Sequence, residues 1–153
     1  DDRDLYALEH VGTLRLEGLL SRNATAEARG KSWRYTHRGF WQRVMQATDV
    51  SGAVVGEFVP RGLRRGGQLR WGAREFTLRP ASSWRERYAL ADGERELVLI
   101  DGKGWGRRPV AVTIVEPEAI DPGLLLFAAY VVHQLAVDAS GAAGASTAAV
   151  SAG

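Results

Sequence analysis

No cysteine occurs among the 153 residues. Disulfides, thiolate zinc sites and cysteine nucleophiles are therefore excluded. Histidine is scarce too: His10, His37 and His133 are the only three, and none stands at metal-ligand spacing from another His, Asp or Glu. No serine sits in a nucleophile elbow, and nothing points to a pair of catalytic carboxylates. Gly30-Lys31-Ser32 has the ending of a P-loop, but Thr25 occupies the required first glycine position. No helix follows it either. Gly102, Gly104 and Gly106 alternate around Lys103 and Trp105, without the spacing or the following helix of a dinucleotide fingerprint. The expectation is a non-enzymatic chain, with no catalytic residue, no metal site and no cofactor.

Long apolar runs are equally rare. The first ten residues, DDRDLYALEH, are acidic and polar and show no signal peptide;. No Met opens the chain, which leaves room for residues removed upstream. The one sustained apolar stretch is Leu124–Val137, broken only by His133 and Gln134.

What is abundant is arginine. Lys and Arg total 20 against 18 acids, a net charge of +2. Every base precedes Pro109, whereas Glu116, Glu118, Asp121 and Asp138 follow it with no base among them. A basic β-rich part followed by an acidic, apolar helical part fits a solvated surface around a buried helix. It also fits attraction to phosphate or anionic lipid.

From Thr13 to Val115 the chain reads as short strands. Thr13–Glu17 alternates, with Leu14 and Leu16 on one face;. Thr25–Tyr35 reads as one long strand or two short ones, with Gly30 as a bulge and Ala26, Ala28, Trp33 and Tyr35 inward. Trp41–Thr48 places Trp41, Met45 and Ala47 on one face. Asp49-Val50-Ser51-Gly52 is a hairpin signal leading into Ala53–Val59. Gln68–Trp71 and Arg74–Arg79 form a second hairpin around Gly72-Ala73, with Leu69, Trp71, Phe76 and Leu78 sharing a face. Pro80–Trp84 reads as a loop. Arg87–Ala91 and Glu96–Ile100 flank Asp92-Gly93, and Pro109–Val115 is the last strand. Asp1–His10 carries no pattern. About nine strands at short, regular spacing favour an antiparallel sandwich or barrel over βαβ units.

Asp121–Asp138 is the convincing helix. Asp121 suits the N-cap and Pro122 the first helical position. Gly141 is the expected stop. The segment is apolar nearly all round, so it needs cover on most sides. Its apolar run, at about 1.5 Å per residue, is shorter than the ~30 Å of a bilayer core and lacks flanking bases. Packing on one face of a sheet would leave Phe127 or Tyr130 uncovered. Threading the centre of a curled sheet satisfies every face. His133 is expected to be a neutral core imidazole. The expected domain is 1–139, with 140–153 as a flexible Ala/Gly/Ser tail.

Ala47–Val55 (ATDVSGAVV), Gly66–Leu78 (GGQLRWGAREFTL), Tyr88–Ile100 and Asp121–Asp138 together resemble the tubby C-terminal-like superfamily, in its LURP-one-related and phospholipid-scramblase-like branch. These stretches cover about half the chain. The resemblance implies an antiparallel β-barrel, of about nine to twelve strands here, around one hydrophobic C-terminal helix. It supplies no residue-level match to the phosphoinositide-binding bases of the tubby proteins or to a scramblase calcium segment. Those activities are not carried over.

Function is therefore expected in the loops, because a barrel filled by its own helix has little internal room. Arg61, Arg64 and Arg65 lie in one loop and Arg107 and Arg108 in another, near Phe58, Trp71 and Trp105. Arg beside aromatics binds phosphates and lipid headgroups. The expected partner is an anionic lipid headgroup or membrane surface, met by a cytoplasmic protein peripheral to the membrane, with no transmembrane span. Nucleic acid is the disfavoured variant of the same chemistry. The alternative is a structural or protein-interaction module without a small ligand.

Overall fold

A computed structural model describes residues 5–8, 11–17, 22–38, 44–61, 66–82, 87–101, 112–114 and 120–152. Eleven strands follow one another among these residues: β1 (Leu5–Leu8), β2 (Gly12–Leu16), β3 (Ala24–Ala28), β4 (Lys31–Arg38), β5 (Val44–Asp49), β6 (Val54–Pro60), β7 (Gly67–Trp71), β8 (Arg74–Ser82), β9 (Arg87–Asp92), β10 (Arg95–Asp101) and β11 (Val112–Ile114). One helix, α1 (Pro122–Ala152), follows them. The strands form a single sheet in sequence order, each antiparallel to the next.

The period-2 pattern decides which side of this sheet is covered. Leu14, Ala26, Tyr35, Met45, Phe58, Leu69, Leu78 and Ile100 are each at most 1% exposed. They come from β2 through β8 and from β10, and all belong to one buried cluster with α1. The alternate residues Arg15, Glu27 and Arg34 are exposed.

α1 is covered on every side over its first part. The nine consecutive residues Leu124–Val132 are each at most 2% exposed. Nine residues make about two and a half turns, so no direction around the axis is left open. Beyond them the cover thins: His133 and Leu135 are half-buried, and Val137 is 47% exposed. The helix touches β2, β3, β4, β6 and β10. Strands β2 and β10 are eight places apart, which in a flat sheet is about 38 Å. A helix is only about 10–12 Å across, so the sheet is strongly curved about it.

Small residues permit this closeness. A Cβ on Gly12 would stand 3.1 Å from Leu126 Cδ1 and 2.3 Å from the Glu27 carbonyl oxygen. Ala24, Ala26 and Ala47, all buried, line the same wall. Polar anchors fix depth: the Tyr35 hydroxyl donates to the Gly123 carbonyl at 2.9 Å, and the Tyr130 hydroxyl donates to the Arg22 carbonyl.

Several expectations need correction. Of the two readings of Thr25–Tyr35 the two-strand one holds, and the correction concerns Gly30, which with Arg29 forms the turn between β3 and β4 rather than a bulge. Both residues have positive φ, 50° and 77°, as a two-residue type I′ hairpin requires. β1 lies where no pattern was evident, because a four-residue edge strand is too short to alternate visibly. Strand β8 runs through Pro80 to Ser82, with a register shift there. Pro80 loses one ladder donor, and the irregularity accommodates it. α1 also passes Gly141 and reaches Ala152. Ala is the best helix former, and extending a helix already held by packing is far cheaper than starting one. Trp41 lies outside the described residues.

Candidate functional site

An antiparallel meander delivers its connections alternately to two ends. The β2–β3, β4–β5, β6–β7, β8–β9 and β10–β11 connections join strand ends at one end of the sheet. Their sequences hold nine Arg or Lys against two acids. The β1–β2, β3–β4, β5–β6, β7–β8 and β9–β10 turns join strand ends at the other end, where Asp121 and the start of α1 also lie. In sequence, these turns and the 115–121 stretch before α1 carry one base, Arg29, against five acids.

Arg61 is exposed at the basic end, where its N–H donates to the Gly66 carbonyl at 3.1 Å and closes the β6–β7 connection. Arg64, Arg65, Arg107 and Arg108 lie outside the described residues, as do Trp105 and His10. The strand ends that flank both Arg loops share this end. The two described aromatics expected beside the arginines are elsewhere. Phe58 is fully buried, and Trp71 ends β7 at the acidic end. Sequence proximity misled here, because the five-residue strand Gly67–Trp71 carries the chain across the sheet.

The acidic end holds a cleft that the sequence reading did not single out. It has a volume of about 500 Å³ and is lined by Trp33, Trp71, Val55, Lys31, Asp49 and Asp121, among others. Its floor is the start of α1. Asp121 caps the helix, its Oδ1 accepting from the Gly123 N–H at 2.8 Å. The Asp121 carbonyl accepts from the Leu125 N–H at 3.0 Å. Both indoles press on Gly123: a Cβ there would stand 2.6 Å from Trp33 Cζ2 and from Trp71 Cζ2. The two rings have centroids 6.1 Å apart at an interplanar angle of 59°, forming a corner. Trp71 also meets Phe127 at 5.9 Å, and Phe127 meets Tyr35 at 5.1 Å, so the corner is backed by core aromatics.

One wall of the cleft is the β5–β6 hairpin. Asp49 Oδ1 accepts from Ser51 N at 2.9 Å, Ser51 Oγ at 2.6 Å and Ala53 N at 3.1 Å. The Ser51 side-chain bond, followed by backbone bonds to the same turn, lowers the Asp49 pKa below the usual carboxylate value. Tyr35, under the floor, is pushed well above 10.0 by burial and then by the nearby Asp121 charge. Val50, at the hairpin tip, is 88% exposed.

No family model, curated protein or solved structure matches the chain.

The candidate chemistry therefore rests on the residues themselves. Among the described residues no cluster of three or more His, Asp or Glu could hold a metal ion. No described helix is long and apolar enough to cross a membrane. His133 lies on α1 where its cover thins, and burial lowers its pKa to about 4, so it is neutral near pH 7. His37, at the end of β4, stands 3.5 Å from the Arg22 guanidinium. Its backbone N–H donates to Asn23 Oδ1. Two signals could have exposed the cleft in advance: Trp33 and Trp71 each stand within three residues of a turn glycine, and the Asp-Pro helix start follows an odd number of strands, which puts it at the end of those turns.

Proposed function

We propose that this chain is a non-enzymatic domain of the tubby-like, LURP-one and scramblase-like kind that docks on anionic lipid headgroups through its basic end. In this reading the curved sheet closes into a β-barrel around α1, and the protein works in the cytoplasm at a membrane surface. The observation that carries the proposal is the sorting of charge by topology: nine bases and two acids in the five connections of one end. Clustered Lys and Arg facing an anionic leaflet contribute on the order of 1 kcal/mol each. The aromatics Phe40, Trp41, Trp84 and Trp105 belong to the same connections, and Trp favours the headgroup layer. The covered helix favours the barrel, since a closed wall is the simplest cover for all its sides.

The test is co-sedimentation with vesicles at low salt. Phosphatidylcholine vesicles containing phosphatidylserine should pull the protein down, and added salt should release it. Arg64→Glu combined with Arg65→Glu should abolish binding while leaving the thermal melt unchanged. Equal sedimentation with neutral and anionic vesicles would overturn the proposal.

A further inference from the structure

We infer that the cleft at the acidic end is a binding site for a small organic cation, an alkylated ammonium or guanidinium group. Three independent observations converge on this chemistry. The Trp33 and Trp71 rings form a 59° corner with centroids 6.1 Å apart, and indole faces are the strongest cation–π partners. Asp49 and Asp121 line the same cleft, against Lys31 alone among bases. The cleft's own charged lining is therefore two carboxylates against one ammonium, a balance that favours positive charge;. The volume of about 500 Å³ falls within the range of small-molecule sites.

The site is also built in advance. Gly123 lets both indoles seat directly on the helix start, where a side chain would displace them. Asp49 is held by its own turn and stays ionised. Asp121 is held by the Gly123 N–H, and its charge offsets the positive end of α1;. Rings and carboxylates therefore need little reordering when a ligand enters, which lowers the entropic cost of binding. A phosphate or carboxylate would meet the same two acids and be repelled. This chemistry is opposite to that of the basic end, so the inference stands apart from vesicle docking.

The experiment is a titration of the full chain with choline, followed by tryptophan fluorescence and calorimetry. The neutral isostere 3,3-dimethylbutan-1-ol serves as the control. Saturable choline binding is expected, with the neutral compound at least about tenfold weaker, as roughly 1.4 kcal/mol of cation–π and Coulomb attraction implies. Asp121→Asn keeps a capping side chain, so it should fold normally and weaken choline severalfold. Lys31→Glu, at an exposed position, should tighten binding severalfold. Trp71→Leu should abolish it. Phosphatidylcholine vesicles form a second arm. Sedimentation that Trp71→Leu removes assigns the cation to a lipid headgroup, and choline binding without sedimentation assigns it to a soluble ligand. Equal affinity for choline and its neutral isostere would overturn the inference, as would choline binding unmoved by both Asp121→Asn and Lys31→Glu, or no binding by a folded chain.

Discussion

The two ends of the sheet are made from the same part, a connection between antiparallel strands, yet they differ in length and charge. At the acidic end the five hairpin connections have two to four residues; at the basic end they have four to ten. Short connections hold neighbouring strands in register and leave little chain to vary. Long connections can change without disturbing the ladder. The acidic end is thus the one with short connections, where the helix begins, two indoles meet and a carboxylate is locked by its own turn. The basic end is where sequence is free to collect arginine. A meander separates these roles because every second connection returns to the same side.

The contrast depends on α1 joining the ends, and the largest test breaks that link. Leu126→Asp puts a charge at a fully buried position on the helix. Loss of more than about 4 kcal/mol is expected, with no cooperative melt by circular dichroism. A soluble variant that melts cooperatively would show that the helix does not hold the sheet together.

Next is a pH effect at the opposite end of the helix's covered part. Burial holds the His133 pKa at about 4 instead of 6.5. As pH falls, the unfolded chain takes up this proton first, so stability is full above about pH 6.5 and declines down to about pH 4. The total is about 3 kcal/mol. His133→Leu should flatten that window, seen as a smaller difference between urea midpoints at pH 7 and pH 4.5 than in the parent.

A third test strains only the acidic end. Gly123→Ala drives a methyl group into both indoles, which stand 2.6 Å from its position. Overpacking costs about 1–3 kcal/mol, partly offset by the better helix propensity of Ala. A lower Tm and shifted tryptophan emission are expected, with vesicle binding intact. The smallest effect belongs to Asp49→Ala, which removes three hydrogen bonds from an exposed turn. A slight loss of Tm is expected above the ordinary carboxylate range. Because the Asp49 pKa is lowered on folding, this difference should vanish as pH falls through the lowered value.

Much of this architecture was legible in residue patterns. The alternation at Leu69–Leu78 and the Asp49–Gly52 turn appear in the fold as expected. The apolar perimeter of Leu124–Val132 likewise foretold cover on all sides. What escaped notice depends on distance in the chain. Trp33 and Trp71 are 38 positions apart, and their meeting on Gly123 follows only once β4, β7 and α1 are placed together. Arg61 and Phe58 misled in the opposite way: they are neighbours in sequence, but one is exposed and the other fills the core. The extension of α1 to Ala152 was hidden because Gly141 looks like a terminator when local propensity alone is considered.

Chain order has a final consequence, in time rather than space. Synthesis delivers all eleven strands before the helix that their inner faces cover. Until then Leu14, Tyr35, Phe58 and Leu69 line a wall with nothing to press against. Neighbour-to-neighbour hairpins can still pair early, since their contacts are local and quick to form. Any strands that pair before α1 is made would leave that apolar lining open to wrong partners. In the folded chain α1 supplies the cover that this lining needs, its residues Leu124–Val132 each at most 2% exposed.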